Sequence, residues 1–136
     1  MTILIALAAA AAATHGVTIE HHGQQLGATY TARADVQSRT VGARGGTRMD
    51  GQRCLWTATM LVDRRLDHGP ALARTIPTGQ TLSGSEAGPC TAGRNAGADA
   101  LARNRAGVEA QLVAVAQADR ATLLAELDQV RNLASN

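Results

Sequence analysis

The chain has 136 residues, a formal net charge of +2 at pH 7, two cysteines and one tryptophan. This length predicts a single domain. All 13 basic residues are arginines, which are scattered along the chain and exceed the 11 acidic residues by two. Aromatic side chains for stacking on bases are limited to Tyr30 and Trp56, so composition and charge argue against a nucleic-acid partner.

The first 13 residues are uncharged and apolar and end in a run of alanines. That run satisfies the small-residue cleavage pattern of a secretory signal peptide, and the segment is shorter than the roughly 20 residues that span a bilayer. We therefore expect export to a bacterial periplasm or the medium, with residues 1–13 removed and no stable membrane span left. A start codon further upstream would explain the missing basic residue of the signal. The alternative is an N-terminal helix of a cytosolic protein.

The chain after residue 13 has few side chains from which to build a core. Leu, Ile, Val and Phe together number 22 of the remaining 123 residues, about 18%, which is low for a globular protein. Such a core adds little stability. In an oxidising compartment Cys54 and Cys90 most simply form one disulfide, which closes a loop of about 37 residues worth roughly 4 kcal/mol. Their spacing does not match a redox or zinc motif.

Two short strands are predicted at the start of the mature chain. Residues 17–22 and 27–34 both alternate between core-type and polar side chains, and the turn sequence His22-Gly23-Gln24-Gln25 joins them as an antiparallel hairpin. The pattern weakens over residues 35–46, where three glycines predict a mobile or irregular connection.

Residues 53–63 have the strongest strand pattern and are predicted to form the central strand. Its buried face holds every second residue, namely Cys54, Trp56, Ala58, Met60 and Val62. Asp50-Gly51 is the dipeptide of a type I′ turn, so residues 43–49 are predicted to pair back on residues 52–60.

A polar connection is predicted over residues 63–70, including the doublet Arg64-Arg65. Residues 71–76 and 80–83 then read as two short strands joined by a turn at Pro77-Thr78-Gly79. Residues 84–89 read as a loop. The region from residue 14 to residue 90 is therefore predicted to be an antiparallel sheet of four to six short strands.

Residues 91–136 change to helical spacing, and a long C-terminal helix is predicted from about residue 98 to residue 134. Its apolar residues form one stripe, made of Leu101, Val108, Leu112, Val115, Leu123, Val130 and Leu133. A straight helix of this length, about 55 Å, exceeds the roughly 35 Å diameter of a compact chain of this size. Either Asp119 caps a second helix and the chain bends, or the end of the helix overhangs the sheet.

The overhanging alternative exposes a cluster of apolar side chains that would need a protein partner or self-association to cover it. This cluster consists of Leu123, Leu124, Leu127, Val130 and Leu133. In both alternatives the fold class is α+β, with a small antiparallel sheet, one long C-terminal helix packed across it and one disulfide.

The histidines His21, His22 and His68 do not predict a metal site. Neighbouring residues of a strand point to opposite faces, so His21 and His22 should not bind one ion together. We expect neither a metal nor a cofactor.

No catalytic residues are predicted, because nucleophile, base and oxyanion donor cannot be assigned from spacing. The sequence is interpreted as a non-enzymatic binding module of the periplasm or cell envelope. One alternative is a small exported hydrolase that uses His68 with Asp67 or a serine of the loop from Ser83 to Ser85. The other is an enzyme inhibitor that inserts residues 84–89 into its target.

Overall fold

The computed structural model describes residues 13–42, 51–68, 72–91 and 96–135. The predicted signal segment lies outside these ranges except for its last residue, Ala13. Within the ranges, four antiparallel strands in the order β1-β2-β3-β4 precede two helices, which confirms the α+β class. The elements are β1 Thr14–His21, β2 Gln24–Val41, β3 Arg53–Leu66, β4 Arg74–Ala87, α1 Ala96–Arg103 and α2 Arg105–Ala134.

The predicted hairpin is confirmed by the pairing of β1 with β2, in which Val17 lies opposite Ala28. Its turn contains only His22 and Gly23, whose φ angles are 50° and 78°. Two successive positive φ angles are typical of the type I′ turn that suits the twist of a two-stranded hairpin. Glycine adopts a positive φ at little cost, so Gly23 is suited to this turn. His22 adopts it although residues other than glycine usually have a negative φ.

Strand β2 is longer than predicted, because residues 35–41 continue it instead of forming an irregular connection. These residues pair with β3 from Asp35 opposite Thr59 to Val41 opposite Arg53. Six of the seven side chains are exposed or nearly so, so backbone pairing and not burial keeps the segment extended. Residues 43–49, predicted to pair with this part of β3, lie outside the described residues, and β2 occupies that edge.

Strand β4 is continuous, so the turn predicted at Pro77-Thr78-Gly79 is wrong, as is the loop predicted from residue 84 to residue 87. The register shifts at this point, since Thr59 pairs with Thr81 while Leu61 pairs with Pro77. The extra residues form a bulge, in which the Thr78 hydroxyl donates a hydrogen bond to the carbonyl of Met60 at 2.8 Å. A proline is tolerated here because β4 is an edge strand.

The C-terminal helical region contains a break, but the break lies at Asn104 and not at Asp119. Asn104 has φ −109° and ψ 28°, and its side-chain amide donates to the carbonyl of Ala100 at 2.8 Å. Helix α2 then continues for 30 residues, about 45 Å. Asp119 is buried inside it at 5% exposure, so it caps nothing.

Both helices pack on the same face of the sheet and divide it into two regions, each with its own core. The region under α2, here called the α2 half, has the larger core, which includes Ile19, Leu26, Tyr30, Ala32, Met60, Val62, Val108, Leu112, Val115, Leu123 and Leu127. The region under α1, the α1 half, has a small core of Trp56, Ala58 and Ala100 with Ala34 and Leu82 beside it. All five residues on the predicted buried face of β3 are buried.

The disulfide between Cys54 and Cys90 is confirmed, with the two Cα atoms 4.7 Å apart. It joins the start of β3 to the segment that follows β4, at the end of the α1 half. The backbone N–H of Cys90 also donates to the hydroxyl of Thr40 in β2 at 3.0 Å. Cys90 therefore connects the chain after β4 to both β2 and β3.

Candidate binding surfaces and ion pairs

A buried ion-pair network lies at the centre of the α2 half. Arg64 is on the inner face of β3, two residues beyond Val62, and is 1% exposed. Its Nη1 donates to Oδ2 of Asp119 at 2.7 Å, and its Nη2 donates to the carboxylate of Glu126. Its Nε and Nη2 also donate to the carbonyl of Leu72, both at 3.2 Å. Arg64 thus links β3, the segment before β4 and α2.

Tyr30 completes this network from β2. Its hydroxyl donates to the same Oδ2 of Asp119 at 2.8 Å. Burial, followed by the hydrogen bond to Asp119, raises the pKa of the Tyr30 phenol above its ordinary value. Burial by itself would lower the pKa of Arg64, but the bonds to Asp119 and Glu126 outweigh it and raise that pKa. The phenol is thereby kept neutral and the guanidinium charged.

The network positions α2 on the sheet. Its members bind one another, and among the described residues every buried side-chain nitrogen and oxygen has a hydrogen-bond partner. The prediction that Arg64 lies in a polar connection is wrong, because β3 continues to Leu66. Extending the two-residue alternation of β3 past Val62 puts Arg64 on the buried face, and Asp119 and Glu126 interrupt the apolar stripe of the helix where they meet it.

The residues of the hydrolase hypothesis lie far apart. His68 follows the end of β3, whereas Ser83 and Ser85 pair with Thr57 and Leu55 near the other end of that strand. About a dozen residues at about 3.3 Å each put on the order of 40 Å between the histidine and the serines. The structure therefore does not bring them into one site.

Asp67 of the hydrolase hypothesis and residues 84–89 of the inhibitor hypothesis make contacts within the sheet. Oδ1 of Asp67 accepts a hydrogen bond from the backbone N–H of Gly27 at 2.9 Å, which holds the end of β3 against β2. The segment proposed to insert into a target enzyme is mostly strand, and the N–H of Gly88 donates to the carbonyl of Gln52 at 2.8 Å. It is held along the sheet and does not project as a free loop.

The predicted apolar cluster at the end of the helix is mostly covered by the protein itself. Leu123 is 0% exposed and Leu127 is 4% exposed, because both pack into the core of the α2 half. Leu124 and Val130 are half-buried, and Leu133 is 76% exposed. The overhang is therefore confined to the last turns of α2.

Three side chains with metal-ligating atoms meet where the β1–β2 turn approaches α2. Nε2 of His21 lies 2.7 Å from Oδ1 of Asp128, and Nε2 of His22 lies 3.2 Å from the same oxygen. Hydrogen bonds from His21 and then from His22 hold the pKa of Asp128 below its usual range. The premise that the two histidines point to opposite faces is wrong, because His22 belongs to the turn and has a left-handed backbone.

The second face of the sheet is not covered by either helix and is here called the open face. It carries mainly polar and charged side chains, with Leu55 and Leu61 half-buried among them. A shallow groove crosses its α1 half. The polar and apolar side chains on the open face that line this groove are Gln37, Arg39, Leu55, Thr57, Ser83 and Ser85.

Charged groups on the open face are partly paired with one another. In the α2 half, Nε of Arg33 donates to Asp63 at 2.9 Å, and the hydroxyl of Thr75 donates to the same carboxylate at 2.8 Å. These two bonds, that of Arg33 first, lower the pKa of Asp63. In the α1 half, Nη2 of Arg53 donates to the hydroxyl of Ser85 at 3.0 Å, beside the groove.

Comparison of the chain with protein-family models, with curated proteins and with solved structures found no significant match. The described helices also include none that is long and apolar enough to cross a membrane.

Proposed function

We propose that the protein is an exported, non-enzymatic binding module of the cell envelope and that it binds a protein partner through the open face of its sheet. The observation that carries this proposal is the one-sided packing of the helices. Because α1 and α2 contact the same face, no helix of the described part of the chain covers the second face of the three long strands. Polar antiparallel faces of this kind are compatible with water and with a polar partner.

The size of the open face supports a folded partner. Strands β2, β3 and β4 run side by side for about 14 residues, which corresponds to about 45 Å by about 15 Å. This area, on the order of 700 Å², is close to the roughly 800 Å² that each protein contributes to a standard interface. The half-buried Leu55 and Leu61 add apolar contact area within it.

The charges on the open face support a partner with acidic and hydrogen-bonding side chains. Arg39 lines the groove and Arg53 lies beside it, and both are exposed. Asp63, at the other end of the face, is paired with Arg33. Arginine binds carboxylates in a planar, bidentate geometry, so the groove end of the face is suited to Asp or Glu side chains of a partner.

Two further features support export and a non-enzymatic role. The disulfide supports export, because such bonds persist in oxidising compartments and are rare in the cytosol. The buried titratable groups Tyr30, Arg64 and Asp119 bind one another in the core, where they hold the fold together. Their altered pKa values follow from this packing.

The test is co-purification of partners from the envelope fraction of the source organism with a chain that carries a C-terminal affinity tag. The open-face variant combines Arg39→Glu with Arg53→Glu. The control variant combines Arg120→Glu with Arg131→Glu, two exposed arginines of α2, and so changes net charge by the same amount. Circular dichroism establishes that each variant is folded.

The wild-type chain and the control should enrich the same protein, and the open-face variant should lose most of it. Equal enrichment by all three chains would show that the partner does not bind through Arg39 and Arg53 of the open face. Recovery of the tagged chain in the cytosol with free thiols would contradict the proposal that the protein is exported.

Self-association through the end of α2 is a second candidate, favoured by the 76% exposure of Leu133. Size-exclusion chromatography with light scattering on the mature chain tests it. A dimer that dissociates in Leu133→Glu would support self-association. A monomer at all concentrations, unchanged by the substitution, would exclude it.

A further inference from the structure

Three metal-ligating side chains that are distant in sequence are brought together by the fold. His21 ends β1, His22 begins the turn, and Asp128 lies on α2. One ligand atom from each lies within 4.8 Å of the other two. The histidines are separated from Asp128 by more than 100 residues, so only the packing of α2 beside the β1–β2 hairpin creates this cluster.

The backbone of the turn allows both histidines to participate. In a regular strand the two imidazoles would lie on opposite faces. The left-handed conformation of His22, with φ 50°, instead directs both Nε2 atoms to one carboxylate oxygen. The rings lie edge to face with their centroids 4.2 Å apart.

The dimensions suit a transition metal. Bonds of about 2.0 to 2.1 Å from Zn²⁺ to imidazole nitrogen and carboxylate oxygen place neighbouring ligand atoms of a tetrahedral site about 3.3 Å apart. The two distances from histidine to Asp128, 2.7 Å and 3.2 Å, need only small side-chain adjustments to reach this spacing. The side chains of His22 and Asp128 are 51% and 55% exposed, so an ion can reach them from solvent.

We propose that His21, His22 and Asp128 form a binding site for Zn²⁺ or a cation of similar ligand preference. Two imidazoles and one carboxylate are ligands typical of Zn²⁺, whereas Mg²⁺ and Ca²⁺ favour all-oxygen sites. The three protein ligands leave a fourth position for water or for a side chain of another molecule. The bound ion joins the β1–β2 hairpin to α2. This site does not depend on the binding function proposed for the open face.

The test is calorimetric titration of the tag-free mature chain with Zn²⁺, since a polyhistidine tag would itself bind the metal. The test variant is His22→Asn, because asparagine tolerates a left-handed backbone but removes the imidazole. The matched control is His68→Asn, which replaces an exposed histidine outside the cluster. Mg²⁺ replaces Zn²⁺ in a parallel titration.

Wild type and His68→Asn should bind one Zn²⁺ per chain and show no comparable binding of Mg²⁺. His22→Asn should bind Zn²⁺ at least about tenfold more weakly, since even residues that only support a ligand change affinity by about 10- to 100-fold. Thermal unfolding should shift upward with Zn²⁺ in the first two chains only. If His22→Asn does not fold without metal, Asp128→Asn on the helix serves as the test variant.

Co²⁺ gives a second, spectroscopic measurement. Replacement of Zn²⁺ by Co²⁺ should produce the visible absorption of a tetrahedral site in wild type and in His68→Asn but not in His22→Asn. Absence of Zn²⁺ binding to the folded wild-type chain would overturn the proposal. Undiminished binding by a folded variant that lacks His22 or Asp128 would overturn it as well.

Discussion

The two halves of the sheet are stabilised in different ways. The α2 half combines a large apolar core with the buried charges of Arg64, Asp119 and Glu126. Among the described residues, the core of the α1 half has three buried members, and this half is closed by the disulfide between Cys54 and Cys90. A small, alanine-rich sheet is thus stabilised by apolar packing where a long helix covers it and by a covalent bond where the covering helix is short.

The largest effect is expected from breaking the charge network of the α2 half. Arg64→Met leaves Asp119 buried without its main cation, so the free energy of unfolding should fall by about 3 to 5 kcal/mol. Urea unfolding followed by far-ultraviolet circular dichroism measures the change. Arg65→Met is the control, because the next residue of β3 is exposed, and its effect should stay within about 0.5 kcal/mol. Similar losses in both variants would contradict the structural role of Arg64.

A somewhat smaller effect is expected from opening the α1 half. Replacing both cysteines by alanine should lower the free energy of unfolding by about 2 to 4 kcal/mol, since a disulfide chiefly restricts the unfolded chain. Fluorescence of Trp56 during urea unfolding gives the measurement in this half. A reducing agent should destabilise the wild-type chain and leave the double variant unchanged. A wild-type chain insensitive to reduction would show that the bond adds little.

Packing within the α1 half can be probed at Gly84, which contacts the only tryptophan. A Cβ at this position would lie 2.5 Å from Cζ2 of Trp56, so Gly84→Ala should cost about 1 to 3 kcal/mol by displacing the indole. The emission of Trp56 should change as well. The control is Gly16→Ala in β1, where an added Cβ meets no atom within 4 Å and stability should stay equal or rise slightly. Equal outcomes at the two glycines would contradict the close approach.

The only tyrosine reports the α2 half through its ionisation. Burial and the hydrogen bond to Asp119 raise the pKa of Tyr30, so the folded protein should show no phenolate absorbance at pH 10 to 11. In denaturant the same phenol should ionise near pH 10. The stability that depends on this difference is present below about pH 10 and is lost as the pH rises toward the folded pKa. Ionisation near pH 10 in the folded protein would contradict the buried hydrogen bond.

The smallest effect is expected on the open face, where Asp63 is paired in an exposed position. Asp63→Asn should lower the free energy of unfolding by about 0.2 to 1 kcal/mol. Because the pKa of Asp63 is lowered, this contribution is present above about pH 4 and is lost as the pH falls through the folded pKa. Unfolding of the variant and of wild type should therefore converge in acid. Glu20→Gln, an exposed acid of β1, is the control, and an effect of equal size there would exclude a specific role for the pair.

The sequence predicted those features that depend on periodic burial. The alternation of core-type and polar residues predicted the buried residues of β3 and the hairpin of β1 and β2. The small core together with two cysteines predicted the disulfide. Residues 35–41 of β2 escaped prediction because pairing with β3 holds a polar segment that has no buried pattern. The same limitation hid the continuity of β4, where a bulge takes up the sequence that reads as a turn.

The candidate metal site and the charge network depended on tertiary structure. His22 reaches Asp128 only because its backbone is left-handed, and a strand pattern predicts the opposite orientation. Arg64 was predicted to lie in a polar connection because it is charged, although its position in the alternation of β3 is on the buried face. Which carboxylates meet Arg64 depends on how α2 lies across the sheet, and no local pattern in the sequence encodes that.

Strands β2 and β3 pass beneath both helices without interruption, so the two halves share one hydrogen-bonded ladder. Opening of the α1 half therefore has to propagate along the backbone before it reaches the other core. Amide hydrogen exchange along β3 should register this as a gradient, fastest near Arg53 and slowest near Val62. Reduction of the disulfide should steepen this gradient of exchange rates. It releases the end of the ladder in the α1 half, while the core of the α2 half still holds the other end.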